Sequence, residues 1–151
     1  MPEIGQSIDS PFGALTIFAE DGVITRLRWQ GGHDDHSDLL DAAASQLAEY
    51  FTGNRQVFDL PLQFLPGLTG DVQRQMIAIP LGETRTYGDI AKVVGASAQA
   101  VGQACGANAI PIIIPCHRVL GRETLGGFSA PGGVETKVAL LKHEGAAGLL
   151  L

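Results

Sequence analysis

Cysteine is scarce in this sequence. Only Cys105 and Cys116 occur among its 151 residues, which is too few for a disulfide framework and is typical of a reducing compartment. No cluster of cysteine or histidine with the spacing of a structural zinc site accompanies them. We therefore expect a cytoplasmic protein with no metal site and no cofactor.

Long apolar runs are also missing. Apolar residues make up 45% of the chain, yet no stretch approaches the roughly 18 uninterrupted apolar residues that a membrane-spanning helix needs. The N-terminal segment, MPEIGQSIDSPFG, has neither a basic start nor an apolar core, so it predicts no export signal. The composition is that of a soluble globular protein, which we expect to act as a monomer away from membranes.

Basic residues are few, and they are unevenly distributed. The formal net charge is −6, which does not favour a nucleic-acid partner, because phosphates attract basic surfaces. Residues 1–65 carry three Lys or Arg against ten Asp or Glu, whereas residues 66–151 carry seven against six. This distribution permits a DNA contact in the second half of the chain without requiring one.

The first half is predicted to form a sheet followed by a helix. Two alternating apolar runs within 12–29 flank Glu20, Asp21 and Gly22, which is the pattern of a β-hairpin. Apolar spacing then predicts a helix from Ser37, its N-cap, to Thr52. A short extended piece follows at 57–64, and the prolines and glycine after it place the end of this domain at residue 65.

The second half, residues 66–151, is predicted to be mainly helical, so the fold class is α+β. Two of its helices, joined by a Gly-containing turn, suggest a helix-turn-helix of winged-helix type. Thr69 is the expected N-cap of the first helix. The predicted helices are Thr69 to Ile79, Tyr87 to Val94, Ser97 to Ala107 and Val134 to Glu144.

The second helix of this motif is built almost entirely of small residues. They let a backbone come close to whatever lies against it. Two interpretations remain open, tight packing on a neighbouring helix and entry into the narrow minor groove of DNA, and both can hold on opposite faces. The residues are Ala98, Ala100, Gly102, Ala104, Gly106 and Ala107.

The segment 110–120, IPIIIPCHRVL, predicts a buried strand edge that meets two reactive side chains. Cysteine attacks as the thiolate, so Cys116 needs a nearby base, and His117 is the obvious candidate. Adjacent residues on an extended chain point to opposite faces, so their contact requires a bridging water or a local turn. Glu144 is the candidate carboxylate that orients His117.

These residues lie within a wider resemblance. PCHRV at 115–119 resembles the active-site signature of the O6-alkylguanine-DNA alkyltransferases, also called methylated-DNA-protein-cysteine methyltransferases. The strong resemblance covers about residues 68–146, and the first domain is similar to the family's ribonuclease-H-like lobe only in its order of sheet and helix. The supporting motifs, in the family's order and spacing, are TYGDIA at 86–91, AVGQACGANAIPIIIPCHRV at 100–119, GGFSAPGGVETK at 126–137 and LLKHEG at 140–145.

The resemblance implies direct-reversal DNA repair by a single-turnover methyltransferase. Cys116 would accept, irreversibly, the alkyl group of an O6-alkylguanine or an O4-alkylthymine. His117, acting through a water with Glu144 behind it, would remove the thiol proton. Asn108 would hold the turn that shapes the site, and Tyr87 would donate to N3 of the departing guanine. An in-line attack cannot be made inside a base stack, so the target base must be flipped out.

The resemblance also assigns residues to double-stranded DNA, bound through its minor groove, and to the flipped base. The carbonyls of Cys116 and Val119 would accept from the exocyclic amine of guanine, and the N–H of Ser129 would meet O6. Residues 126–133, with Phe128, would line the pocket as a flexible loop. The other residues on the DNA side are Ala98, Gln99, Ala100, Gly102 and Arg118, although an internal or lobe-bridging ion pair is the stronger interpretation of Arg118.

Gln99 departs from the family pattern. Members typically have an arginine just before the Ala-Val-Gly of the recognition helix, where it takes the place of the flipped base. Glutamine can fill the gap but lacks the charge and the planar guanidinium that stacks. We expect weaker DNA binding or slower flipping, with the chemistry at Cys116 retained.

Two other function classes remain. A lesion sensor on the same fold would flip and hold alkylguanine without transfer, but known sensors of this kind lack the cysteine, and Cys116 argues against it. A cysteine hydrolase built on Cys116 and His117 would turn over and would need an oxyanion hole. That class leaves the helix-turn-helix and the small-residue helix without a role.

Overall fold

The computed structural model describes residues 2–122 and 124–146. The predicted domains, 1–65 and 66–151, also include residues 1, 123 and 147–151, which lie outside the described residues. The chain forms two compact units, Met1–Gln63 and Phe64–Leu151. Sheet and helix occur in both, which confirms the α+β class. Within the described residues, no helix has the length and apolar character needed to cross a bilayer.

The first unit contains a three-stranded antiparallel sheet, β1 (Ile4–Ile8), β2 (Leu15–Glu20) and β3 (Val23–Arg28), in that spatial order. The predicted hairpin is confirmed as β2 and β3. Its turn uses two consecutive left-handed residues, Asp21 at φ 52° and Gly22 at φ 82°. This backbone twist matches that of the strands, which is why Asp-Gly is a favoured hairpin turn.

One helix, α1 (Asp38–Phe51), packs on this sheet. The Ser37 hydroxyl accepts a hydrogen bond from the Leu40 N–H at 3.1 Å, so the predicted N-cap is confirmed. The extended piece predicted at 57–64 pairs with β3 through a single parallel bridge between Ile24 and Leu62. The buried face of α1 consists of Leu40, Ala43, Leu47 and Tyr50.

The second unit is mainly helical. Its helices are α2 (Gly67–Ile77), α3 (Tyr87–Val94), α4 (Ala98–Gly106) and α5 (Val134–His143). The predicted cap of α2 was wrong: the helix begins at Gly67 after Pro66, and Thr69 lies inside it. The left-handed φ of Gly67, 66°, turns the chain into the helix earlier than the apolar pattern suggested. Gly70 follows in α2, where an added Cβ would overlap the Leu65 carbonyl.

The predicted helix-turn-helix is formed by α3 and α4. A capping box starts α3, since the Thr86 hydroxyl accepts from the Asp89 N–H and the Asp89 carboxylate accepts from the Thr86 N–H. Gly95, at φ 72°, ends α3 in the left-handed conformation, and the Ser97 hydroxyl caps α4. Two-residue strands β4 (Arg85–Thr86) and β5 (Val119–Leu120) pair in parallel. This pairing brings the start of α3 beside the chain that follows Cys116.

Candidate active site

A cavity of about 220 Å³ opens in the second unit. Residues from four separate parts of the sequence meet there. Its lining residues are Tyr87, Gly102, Cys105, Gly106, Asn108, Pro111, Cys116, Gly127, Phe128 and Ser129. The structure therefore brings most of the side chains predicted for the thiol and the base pocket into one cavity.

The segment before Cys116 is a series of tight turns. The prediction of a buried strand edge at 110–120 is confirmed for the burial and for the last two residues, β5, but residues 110–118 form no strand. The Ile113 N–H donates to the Pro111 carbonyl at 2.8 Å, and Ile112 between them has φ 70°. A β-branched residue in this region is strained, by about 1–3 kcal/mol. The turns continue into a short 3-10 helix, Cys116–Arg118, so Cys116 and His117 are not on opposite faces of a strand.

Asn108 holds these turns together. Its Nδ2 donates to the Ile114 carbonyl at 2.9 Å, and its Oδ1 accepts from the Ile110 N–H at 3.2 Å. Prolines at 111 and 115 have no N–H, so the segment cannot form a regular ladder and relies on this side chain instead. Asn108 thus replaces the backbone partners that a strand would have supplied.

A buried network lies at the next two residues. His117 Nε2 is 2.6 Å from Glu144 Oε2, and Arg118 donates to both Glu144 carboxylate oxygens, at 2.8 and 3.1 Å. The guanidinium also donates to the Ile79 carbonyl at 2.7 Å. Because Arg118 is buried with these partners, its assignment to the DNA surface was wrong, and the internal ion pair is correct.

The electrostatics fix the protonation of this network. Burial by itself would raise the pKa of Glu144, but hydrogen bonds from His117 and Arg118 outweigh it and hold that pKa at about 2. Burial lowers the pKa of His117 more than Glu144 raises it, so the imidazole is neutral at pH 7. Nε2–H then donates to the carboxylate, which leaves Nδ1 as the basic nitrogen. Nδ1 is buried and has no hydrogen-bond partner among residues 2–122 and 124–146.

The Cys116 thiol is half-buried at the cavity. Burial raises its pKa, while a hydrogen bond from the Asn108 side chain and the charge of Lys137 lower it. Burial also raises the pKa of Tyr87, so its hydroxyl stays protonated at neutral pH. The site therefore holds a thiol that needs a base and a phenol that can donate a proton.

Cys105, the other thiol, also lines the cavity, but it is a poor nucleophile. Its sulfur packs 3.7 Å from the sulfur of Met76. Burial raises the pKa of Cys105 to about 12, so almost none is ionised at pH 7. Cys105 therefore serves as a buried space-filling residue.

Lys137 is a site residue that the sequence did not reveal. It is fully buried in α5, and its ammonium donates to the Val119 carbonyl at 2.7 Å and to the Gly127 carbonyl at 3.2 Å. It also lies 5.9 Å from the centre of the Tyr87 ring. Lys137 thus ties the chain after Cys116 to the Gly-rich pocket loop and places a positive charge near the thiol.

We expect Lys137→Met to slow alkyl transfer by about tenfold at neutral pH, the effect of roughly one unit of added thiol pKa. The loss shrinks as the pH rises, because the thiol then ionises without the nearby charge. Single-turnover rates across a pH series measure both effects. Lys142→Met, at an exposed position of the same helix, is the matched control. A loss that stayed constant at all pH values would contradict the electrostatic role.

The remaining predicted residues lie outside this cavity. Ala98 and Gln99 are exposed in the first turn of α4, and Ala100 follows them half-buried. Val119 is buried, with its carbonyl on Lys137. Among residues 2–122 and 124–146, no group of three or more His, Cys, Asp or Glu is arranged to hold a metal ion.

Fold and site together define a class: a two-unit α+β protein in which a helix-turn-helix adjoins a cavity with a half-buried cysteine, followed in the chain by a histidine that pairs with a buried glutamate. Two family profiles match the chain. The 6-O-methylguanine DNA methyltransferase ribonuclease-like domain matches residues 5–64, and the DNA binding domain of the same family matches residues 68–146. The chain therefore belongs to the 6-O-methylguanine DNA methyltransferase family, which confirms the resemblance found in the sequence.

Individual relatives agree with this assignment. The methylated-DNA--protein-cysteine methyltransferase of Mycolicibacterium paratuberculosis is 38% identical over 151 aligned residues, covering 92% of this chain and 90% of that protein. The O6-methylguanine methyltransferase structure from Mycobacterium tuberculosis has a TM-score of 0.84 at 37% identity, covering 97% and 94%. A structure of Mycobacterium tuberculosis OGT in complex with DNA has a TM-score of 0.83 at 38% identity, covering 95% and 93%.

Proposed function

We propose that this chain repairs DNA directly, by moving the alkyl group of an O6-alkylguanine onto the sulfur of Cys116. The observation that carries the proposal is a half-buried thiol that shares a cavity with Tyr87 and is followed in the chain by the buried His117–Glu144 pair. Family membership supports the same chemistry. The thiol must be reduced, so we place the reaction in the cytoplasm.

The reaction begins with a proton transfer. His117 takes the thiol proton at Nδ1 through a bridging water, since its Nε2 is held by Glu144. The Cys116 thiolate attacks the alkyl carbon in line, and the bond from that carbon to O6 breaks with its electron pair going to guanine. The Tyr87 hydroxyl gives its proton to N3, so the base leaves neutral, and the proton held by His117 is released to solvent as the tyrosinate takes one up again. The thioether on Cys116 has no group that water can displace, so each molecule reacts once.

Backbone groups are available to bind the flipped base. The Val119 carbonyl accepts from Lys137, and the Cys116 carbonyl accepts from the Val119 N–H. A carbonyl oxygen has two lone pairs, so each retains one for the exocyclic amine of guanine. The Ser129 N–H, on the pocket loop, would meet O6, and the Phe128 side chain supplies an apolar wall. With O4-alkylthymine, which has no exocyclic amine, only the Ser129 N–H would keep its role, by donating to O4.

The contact with double-stranded DNA is assigned to α4, which enters the minor groove. Ala98 and Gln99 are exposed at its start. Gly102 lies further along, and apart from its neighbours and the backbone of α4 itself, no heavy atom of the described residues stands within 4 Å of the position that a Cβ would take there. An open, small-residue surface suits a groove only about 6 Å wide. Gln99 fills the space of the flipped base, and the protein acts as a monomer.

Incubation with a duplex oligonucleotide that contains O6-methylguanine tests this function. Intact mass spectrometry should show one methyl group per protein, and peptide mapping should place it on Cys116. The same duplex with unmodified guanine is the control. Tight binding without a mass change would support the lesion sensor, and repeated turnover would support a hydrolase.

We expect Gln99→Arg to speed alkyl transfer from duplex DNA by about tenfold, because stacking on a base is worth about 1–3 kcal/mol and arginine stacks where glutamine does not. Single-turnover rates on duplex and single-stranded substrates separate flipping from chemistry, since only the duplex requires a base to be replaced. Gln99→Lys adds charge without a planar group and serves as the control. A variant no faster than the wild type would refute this role of position 99.

A further inference from the structure

Gln73 is a buried polar residue that the proposed mechanism does not use. It lies in α2, is 1% exposed, and is 35 residues distant from Asn108 in sequence. Its Oε1 accepts from the Leu65 N–H at 2.9 Å, and its Nε2 donates to Asn108 Oδ1 at 3.2 Å. A buried amide with both ends bonded connects two otherwise separate segments.

The orientation of the Gln73 amide is determined by its partners. The Leu65 N–H can only donate, so it must face the Gln73 oxygen. The NH2 end of Gln73 then faces Asn108, and that end can only donate. Asn108 must therefore present its own oxygen to Gln73.

A second donor requires the same orientation of the Asn108 amide. The Ile110 N–H also points at Oδ1, so two donors converge on that oxygen. A flipped Asn108 amide would place its NH2 group against two donors and its oxygen against the Ile114 carbonyl. The observed orientation instead directs Nδ2 to the Ile114 carbonyl at 2.9 Å. Asn108 and Cys116 line the same cavity, and the Asn108 side chain lowers the pKa of the thiol. In a buried site, an unmatched polar contact of this kind is costly.

We propose that Gln73 is a positioning residue that acts through Asn108. It holds the Asn108 amide in the one orientation in which Nδ2 donates to the Ile114 carbonyl, at the cavity that Asn108 shares with Cys116. Gln73 itself touches neither the sulfur nor the base. Only the expected effect of Gln73 on alkyl transfer rests on the proposed function. Its expected effect on the pKa of the Cys116 thiol does not involve DNA.

The experiment compares Gln73→Met with Val72→Ala. Methionine has a similar length and suits a buried site, but it breaks both hydrogen bonds. Val72 is the fully buried neighbour on α2, so Val72→Ala lowers stability through lost burial and removes no polar group. Rates of iodoacetamide alkylation at Cys116 are followed across pH by peptide mass spectrometry, together with single-turnover transfer from O6-methylguanine DNA.

We expect Gln73→Met to raise the thiol pKa of Cys116 by about half to one unit and to slow transfer roughly three- to tenfold at neutral pH, with the rates converging at high pH. Val72→Ala should keep the wild-type pH profile. Coincident profiles for the two variants would overturn the inference. If the wild-type protein transferred no methyl group, the proposed function would fail instead, while the alkylation profiles would still decide the role of Gln73.

Discussion

Replacing Cys116 with serine is expected to abolish methyl transfer, with a loss on the order of a thousandfold or more. A serine hydroxyl ionises far less readily than a thiol, and the neutral His117 beside it is too weak a base to produce an alkoxide. The measurement is the single-turnover rate with labelled O6-methylguanine DNA. Folding is checked by thermal unfolding, because serine is nearly the same size as cysteine.

Cys105→Ser is the matched control for this variant. Both thiols line the same cavity, but the high pKa of Cys105 keeps it protonated. Cys105→Ser should therefore still take up one methyl group per molecule at a rate close to that of the wild type. Methyl uptake that persisted in Cys116→Ser and disappeared in Cys105→Ser would show that Cys105 is the acceptor. That result would refute the mechanism.

Chemical motifs were the most predictable part of the site. Cys116 and His117 stood out because a thiol needs a base, and Glu144 because a histidine needs an orienting partner. The chemical requirement picks out Cys116 and His117 as neighbours in the sequence, whereas Glu144, 27 residues from His117, was supported by the LLKHEG motif of the family. The structure adds that Arg118 shares Glu144. The sequence favoured an internal or lobe-bridging ion pair for Arg118, but it did not name the partner, because Glu144 lies 26 residues further along the chain.

The turns before Cys116 could not be predicted in the same way. A run of isoleucines has the composition of a buried strand, and only burial was correct. The observed path depends on the side chain of Asn108 and on the positive φ of Ile112, which a propensity argument excludes for a β-branched residue. Tertiary contacts at a functional site outweighed the local preference.

Strand β1 and the buried Lys137 were not predicted from the sequence, and each omission has a simple physical cause. Strand β1 contains Gly5, Gln6 and Ser7, which do not alternate in polarity, and it is defined by pairing with β2. Lys137 occupies a helix position where lysine is ordinarily solvated. Lys137 can be buried because its ammonium donates to the Val119 and Gly127 carbonyls, and the sequence does not show that these carbonyls lie beside it. Both features depend on residues distant in sequence.

Glu144→Gln is expected to lower the free energy of unfolding by about 3–5 kcal/mol, the range for removing one partner of a buried ion pair. The Arg118 guanidinium would remain buried with the Ile79 carbonyl as its principal acceptor. His117 would lose the carboxylate that fixes its tautomer, so transfer should slow as well. Urea unfolding at pH 7 measures the loss, and Glu135→Gln, at an exposed position of α5, is the control.

The pH dependence of this loss gives a sharper test. The pKa of Glu144 is about 2 in the folded protein, below its ordinary value of 4.5. A depressed carboxyl pKa contributes stability that is fully present above pH 4.5 and is lost as the pH falls towards 2. The difference between wild type and Glu144→Gln should therefore be largest above pH 4.5 and should narrow steadily below it. A difference that did not change between pH 7 and pH 2 would mean that the carboxylate charge does not stabilise this network.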